Sequence, residues 1–183
     1  MMSRSWRRAA AFFVCLIAVM AQSCSLLPGD ATPASTATPA RLAQWAAGAT
    51  ASSHYARPDW SPNRANGAPE ITVCADDARA WASARGGGVE WIELTYTRQV
   101  IATEIAIHQT FGRGAVSRVT ILDDAGNREV VWEGTDDREP CPGVLRVRVP
   151  PTAMRAGTVR IDLDESRTGT WNQIDAVELV GTP

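Results

Sequence analysis

The sequence predicts an all-β protein, an antiparallel β-sandwich, on three observations. Apolar residues recur at every second position in six separate runs between residues 92 and 179. Turn-forming residues separate those runs. No long stretch shows the 3.6-residue spacing of an amphipathic helix. One-sided alternation gives each strand one face for a core and one for solvent, so antiparallel sheets packed face to face are the expected arrangement.

The first element is not part of that sandwich. Arg4, Arg7 and Arg8 form a cationic start, followed by 13 uninterrupted apolar residues from Ala9 to Ala21. At ~1.5 Å per residue such a run reaches about 20 Å as a helix, short of a hydrocarbon core of roughly 30 Å. Its length and flanks are those of an export signal over residues 1–24. A buried amino-terminal helix is the alternative, but that would carry polar interruptions on one face. Cys24 follows Ala21-Gln22-Ser23 and resembles the cysteine of a bacterial lipobox, where cleavage exposes a thiol for acylation, palmitate included. Ser23 fits that pattern, whereas Ala21 stands where Leu, Val or Ile is usual. The alternative is an ordinary cleaved signal and a secreted protein. Arg7-Arg8 matches a twin-arginine leader poorly. Residues 25–45, rich in Ala, Thr, Pro and Ser, read as a disordered tether. The folded domain is expected over residues 46–183, in an extracytoplasmic protein held to the membrane by lipid, or otherwise secreted.

The strands follow in order. Ile92, Leu94 and Tyr96 alternate with Glu93 and Thr95; Ile105 and Ile107 with Glu104 and His108; Val119 and Ile121 with Arg118 and Thr120. Leu145, Val147 and Val149 alternate with Arg146 and Arg148; Val159, Ile161 and Leu163 with Arg160 and Asp162; Val177 and Leu179 with Glu178. Gly86-Gly87-Gly88, Asp124-Ala125-Gly126-Asn127, Pro142-Gly143 and Pro150-Pro151 mark turns. A short helical turn is expected near Pro151 to Arg155.

Charge narrows the partners. The whole chain is −2, and without the leader it has 15 arginines against 20 acids, or −5. There is no basic cluster to replace phosphate counterions, so no nucleic-acid partner is expected. All basic residues are arginine; a GC-rich codon bias explains that without a function. Of the four cysteines, Cys15 leaves with the signal and Cys24 ends it. Cys74 and Cys141 remain in an exported domain, where a disulfide between them is expected. Two buried thiols are the alternative.

The order of several segments carries a resemblance. Ala51-Ser52-Ser53-His54-Tyr55 precedes a loop ending Asn66-Gly67-Ala68-Pro69-Glu70. Ala80-Trp81-Ala82-Ser83 and Glu90-Trp91-Ile92-Glu93-Leu94 follow. The chain closes with Val159-Arg160-Ile161-Asp162-Leu163 and Trp171-Asn172-Gln173-Ile174-Asp175-Ala176-Val177-Glu178-Leu179. This resembles a discoidin-type domain, the galactose-binding-like jelly roll of coagulation-factor C-type domains and many bacterial carbohydrate-binding modules. The resemblance implies an eight-stranded sandwich whose end loops bind a sugar, a lipid head group or a protein. It also implies a structural calcium near the early loop, which carries Asn66 and Glu70, with help from an acid of the last strand. Glu178 is the candidate, although Ala176 stands where an acid is frequent and no spaced Asp-x-Asp series is present.

Enzyme signatures are few, and no catalytic residue is assigned. His54 and His108 have no zinc-site spacing, and no Gly-x-Ser-x-Gly elbow appears. Asp76-Asp77, Asp123-Asp124 and Asp136-Asp137 read as hydrated turn formers rather than a glycosidase pair. Tryptophan stacks on sugar rings, so the six outside the leader matter. Trp81, Trp91 and Trp171 fall at framework positions of the resemblance. Trp60 lies in the polar loop Arg57–Arg64 and is a candidate ligand contact. A second candidate loop, His108 to Arg113, offers His108, Phe111 and Arg113; a third, Ser166 to Thr170, offers Arg167. Arginine beside an aromatic suits sugars or carboxylates. The expected function is a non-catalytic, envelope-anchored binding module for a carbohydrate or other envelope polymer. The alternatives are a surface protein–protein adaptor and an accessory domain of an extracytoplasmic enzyme system.

Overall fold

A computed structural model describes residues 40–183; the expected export signal, Cys24 and the first part of the expected tether lie outside the described residues. Eight antiparallel strands make the fold: β1 Leu42–Trp45, β2 Gly48–Ala51, β3 Val89–Phe111, β4 Val116–Leu122, β5 Arg128–Glu133, β6 Gly143–Arg148, β7 Arg155–Asp164 and β8 Gln173–Thr182. The all-β sandwich expected from alternation is the fold observed.

β3 runs through both layers. Its first half, Val89 to Thr95, pairs with β7 on one side, and Ile92 to Thr95 pair with β2 on the other. Its second half pairs with β6 and β8. The register breaks between Thr95 and Val100, where the strand crosses from one sheet to the other. One layer is therefore β2-β3-β7-β4-β5, and the facing layer is β1-β8-β3-β6. Alternation had suggested two strands here, because Thr97-Arg98-Gln99 interrupts the apolar pattern. That interruption is the exposed crossing, and pairing resumes beyond it. Gly181 lies against it; a Cβ there would collide with the carbonyl of Ile101.

The core fills the space between the layers. Ile92 and Leu94 of β3, Val159, Ile161 and Leu163 of β7, and Val119 and Ile121 of β4 face Ile105 and Ile107 of β3 and Val177 and Leu179 of β8. Each comes from an alternating run, as burial of one strand face requires.

Two boundaries differ from expectation. The stretch read as a tether through residue 45 gives way to β1 at Leu42, whose four residues pair with Glu178–Gly181 of β8. Leu42 packs on the core, so the domain begins before Ala46. Four partly exposed residues were too few to show alternation. No helical turn forms at Pro151–Arg155; there the Thr152 hydroxyl accepts the Met154 N–H at 3.0 Å and turns the chain into β7. The helical turns are 3-10, at Pro62–Ala65 and Glu165–Arg167.

Cys74 and Cys141 form a disulfide, with Cα atoms 5.1 Å apart and a sequence separation of 67. It joins the loop before β3 to the β5–β6 connection.

Candidate functional site

An aromatic cage forms at the end of the sandwich where β8 begins. Its first wall is the loop after β2. Tyr55 N–H donates to the Ala82 carbonyl at 3.0 Å, which holds a ring that is 55% exposed. Trp60 has φ +51°, a left-handed conformation that bulky side chains rarely adopt. Two backbone bonds hold it there: Trp60 N–H to Ala78 O at 3.0 Å and Ala82 N–H to Trp60 O at 3.2 Å. Backbone strain held by its surroundings in this way concentrates at functional sites.

The Tyr55 ring stands edge-on to both tryptophans. Its centroid is 5.3 Å from Trp60 at 72° and 5.7 Å from Trp171 at 83°. Trp171 is fixed through its backbone. Gly86 and Gly112 flank it so closely that a Cβ on Gly86 would lie 2.8 Å from the Trp171 nitrogen, and one on Gly112 would collide with the Trp171 carbonyl.

The polar member is Asp76. Its Oδ1 accepts from Trp60 Nε1 at 3.1 Å and from Gln173 Nε2 at 2.5 Å. The Gln173 amide is oriented in turn, because its Oε1 accepts the Asp77 N–H at 3.0 Å. Asp76 Oδ2 accepts nothing from the described protein, and no arginine pairs with this carboxylate. Tyr55, Trp60, Asp76, Ala82, Trp171 and Gln173 enclose a cavity of about 140 Å³. Sites for drug-sized ligands run to roughly 300–1,000 Å³, so this one accepts a single small group.

Beneath the cage runs a buried polar chain. Arg113 Nη2 pairs with Asp136 Oδ1 at 3.4 Å, and Arg113 Nη1 donates to the Pro140 carbonyl. Asp136 Oδ2 accepts from Gln109 Nε2 at 2.8 Å and from the Gly114 N–H at 3.3 Å. Gln109 Oε1 accepts from Asn172 Nδ2 at 2.7 Å. The Asn172 N–H donates to Glu165 Oε1 at 2.9 Å, and Ser83 Oγ donates to Glu165 Oε2 at 2.8 Å. All six side chains are buried. Burial pushes the Glu165 carboxyl above its ordinary value, against the lowering effect of those two donors.

The candidate residues separate accordingly. Trp60 is in the cage. Arg113 lies outside the cage: it is 5% exposed and paired with Asp136, itself 3% exposed. Asp136, read as a hydrated turn former, is instead the buried acceptor of that pair. His108 and Phe111 lie on β3 rather than on a loop. The His108 ring meets Trp45 edge-on at 5.5 Å. Burial, with Arg146 nearby, lowers its pKa. Phe111 sits opposite Gln173 in the ladder and does not line the cage. Arg167 is drawn to a different groove, bonding Asp164 Oδ2 at 3.2 Å and the Gly134 carbonyl at 2.9 Å. Trp81 is wholly buried and Trp91 carries Arg160 4.4 Å above its ring. Tyr55, Asp76 and Gln173 were not among the sequence candidates, and Trp171 had been placed in the framework. The one available signal was Asp76 lying two residues after a bridged cysteine.

The residues expected near a structural calcium are placed as follows. The early loop is tied to β8 by Asp175, whose Oδ2 accepts the N–H groups of Glu70 at 2.9 Å and Ile71 at 3.0 Å. Those N–H dipoles turn their positive ends toward that oxygen, where a cation would be repelled. Glu178 faces Trp45 and Ala106 across its two ladders. Asn66 Oδ1 is buried without a donor, and the Glu70 side chain is exposed. Among the described residues no three acidic, His or Cys side chains cluster to hold a metal.

Residues 34–183 match the family described as pappalysin-1, SD scarf domain, C-terminal. The chain belongs to that family. A search of the curated proteins found no match. Among solved structures, the scarf domain is similar to chitosan-binding module 1 of a chitosanase/glucanase from Paenibacillus sp. IK-5, at 21% identity and TM-score 0.55 over 72% of this chain and 92% of that one. It is also similar to CpGH89CBM32-5 from Clostridium perfringens, solved with GalNAc-β-1,3-galactose, at 15% identity and TM-score 0.57 over 74% and 94%. A truncated AlyQ with CBM32 and alginate lyase domains matches 79% of this chain at 16% identity and TM-score 0.57. The scarf domain spans about a third of that chain, 34%. At these identities the likeness establishes the fold that the discoidin resemblance implied.

Proposed function

We propose that this scarf domain is a non-catalytic carbohydrate-binding module working outside the cytoplasm, with the cage of Tyr55, Trp60 and Trp171 as its sugar contact. The observation that carries the reading is three aromatic rings around one small cavity, beside a carboxylate oxygen with no donor among the described residues. Indole and phenol faces stack on the C–H surface of a sugar, and a fixed acceptor selects its orientation. The fold likeness to modules named for chitosan and for GalNAc-β-1,3-galactose agrees with this, as does a disulfide of the kind that oxidising compartments maintain. Acylation at Cys24 would hold the protein at the envelope. Changing Cys24 to Ala is expected to move it from the membrane to the soluble fraction.

The deciding experiment is a glycan array followed by titration calorimetry of Trp60→Ala, with folding verified by near-UV circular dichroism. Binding should weaken at least tenfold. A folded Trp60→Ala protein with undiminished affinity would overturn the assignment of the cage, and absence of binding to any glycan would overturn the carbohydrate reading.

A further inference from the structure

Resting on that reading, we infer that the cage selects a positively charged sugar: its ligand is an amino sugar presenting a free ammonium group to Asp76 and the surrounding rings. Charge is the first argument. Arginines pair with many acids of this domain, including Asp59, Asp77, Glu93, Glu104, Asp136, Asp162 and Asp164. Among the described residues Asp76 has no such partner, as is also true of Glu70, Glu90 and Asp124. What sets Asp76 apart is that it lines the aromatic cavity and that its hydrogen-bond donors, Trp60 and Gln173, are neutral. Its negative charge is left uncompensated at the mouth of an aromatic cavity. A cation entering there gains both the carboxylate and the negative faces of the rings.

Hydrogen-bond capacity is the second argument. Asp76 Oδ1 is filled by two donors, while Oδ2 is open. Asp76 is exposed, so Oδ2 faces solvent and is free to meet a donor on a ligand, which a primary ammonium has and a quaternary one lacks. An N-acetyl group offers a single neutral N–H and adds an acetyl that a cavity of about 140 Å³ must also contain. Size is the third argument: the cavity takes one substituent and its ring edge, leaving the rest of a chain outside.

The test compares β-1,4-linked tetramers of glucosamine, N-acetylglucosamine and glucose by calorimetry on the intact protein, below the pH at which the amine loses its proton. The glucosamine tetramer should bind at least tenfold more tightly than the other two. Asp76→Asn retains the Oδ1 acceptor for Trp60 and Gln173, and so the fold. It should weaken glucosamine binding at least tenfold and bring the ratio between the amine and N-acetyl ligands close to one. Equal affinity for all three tetramers, lost together in Trp60→Ala, would overturn the ammonium preference and leave the carbohydrate reading standing. Absence of binding to all three would overturn both. A trimethyl-lysine peptide binding more tightly than the glucosamine tetramer would overturn the assignment to a sugar.

Discussion

Arg113 shows how a single residue can mislead and then inform. In sequence it stands two residues after Phe111 and between two glycines, an arrangement suited to an exposed binding loop. Its partner Asp136 is 23 residues away, so the pairing that buries both has no local trace. Removing one member of such a pair leaves an unpaired buried charge, at a cost of about 3–5 kcal/mol. Arg113→Met should therefore lower unfolding free energy by that amount in urea titrations. Adding Asp136→Asn should recover part of it, because the stranded charge is gone while an acceptor remains for the Gln109 amide and the Gly114 N–H; no recovery in the double variant would refute the pairing argument. Glu165 makes a second prediction, on pH. Its folded pKa is raised above the ordinary 4.5 by burial. The stability it contributes is complete below that ordinary value and is lost as pH rises through the folded value. Glu165→Gln stays neutral and can still accept the Asn172 N–H, while the Ser83 hydroxyl can rotate to accept from the amide. It should flatten the decline in stability between pH ~4.5 and neutrality, and an unchanged Tm profile would contradict the burial argument.

At the level of elements, legibility depended on burial. The runs around β4, β7 and β8 alternate because one face of each meets the core, and they were readable without a structure. β1 and β2 were not, since strands of four residues at a sheet edge are too short to show a pattern. The site was less legible still. Asp76-Asp77 and Asp136-Asp137 are the same dipeptide, yet one serves the cage and the other the interior. Only pairing across the sheets separates them. Gly112 connects the elements to the site: β3 ends at Phe111, and the next residue, at φ +56°, lets the chain press against the Trp171 backbone. Gly112→Ala should both destabilise the domain and displace Trp171, weakening binding at least tenfold while Trp60 remains in place. Retained affinity in the glycine variant would show that Trp171 is not a ligand wall. The Cys74–Cys141 bridge acts at the same scale, since Cys74 lies two residues before Asp76. Loop-closure entropy for this span is worth about 4 kcal/mol. Reduction should lower the urea midpoint and weaken binding together; a loss of stability alone would separate the bridge from the site.

For the molecule as a whole, the pairing of first strand with last matters most. β8 lies between β1 and β3, so removing β1 would leave the hydrogen-bonding edge of β8 open. A variant beginning at residue 46 should have a lower Tm and a greater tendency to associate than one beginning at residue 40, with light scattering as the check. The same pairing governs how the domain bears mechanical load. Leu42 sits opposite Gly181, at the far end of β8 from Gln173 and the cage. At ~3.4 Å per residue Gln173 and Gly181 are about 27 Å apart along that strand. A pull on the chain entering at residue 42, resisted by a ligand held in the cage, drags β1 lengthwise along β8. Its ladder bonds are then strained together rather than broken in succession like a zipper. Single-molecule pulling along that axis should meet markedly higher rupture forces than peeling β1 sideways, which would make the domain a grip that yields last at the strand nearest the amino end.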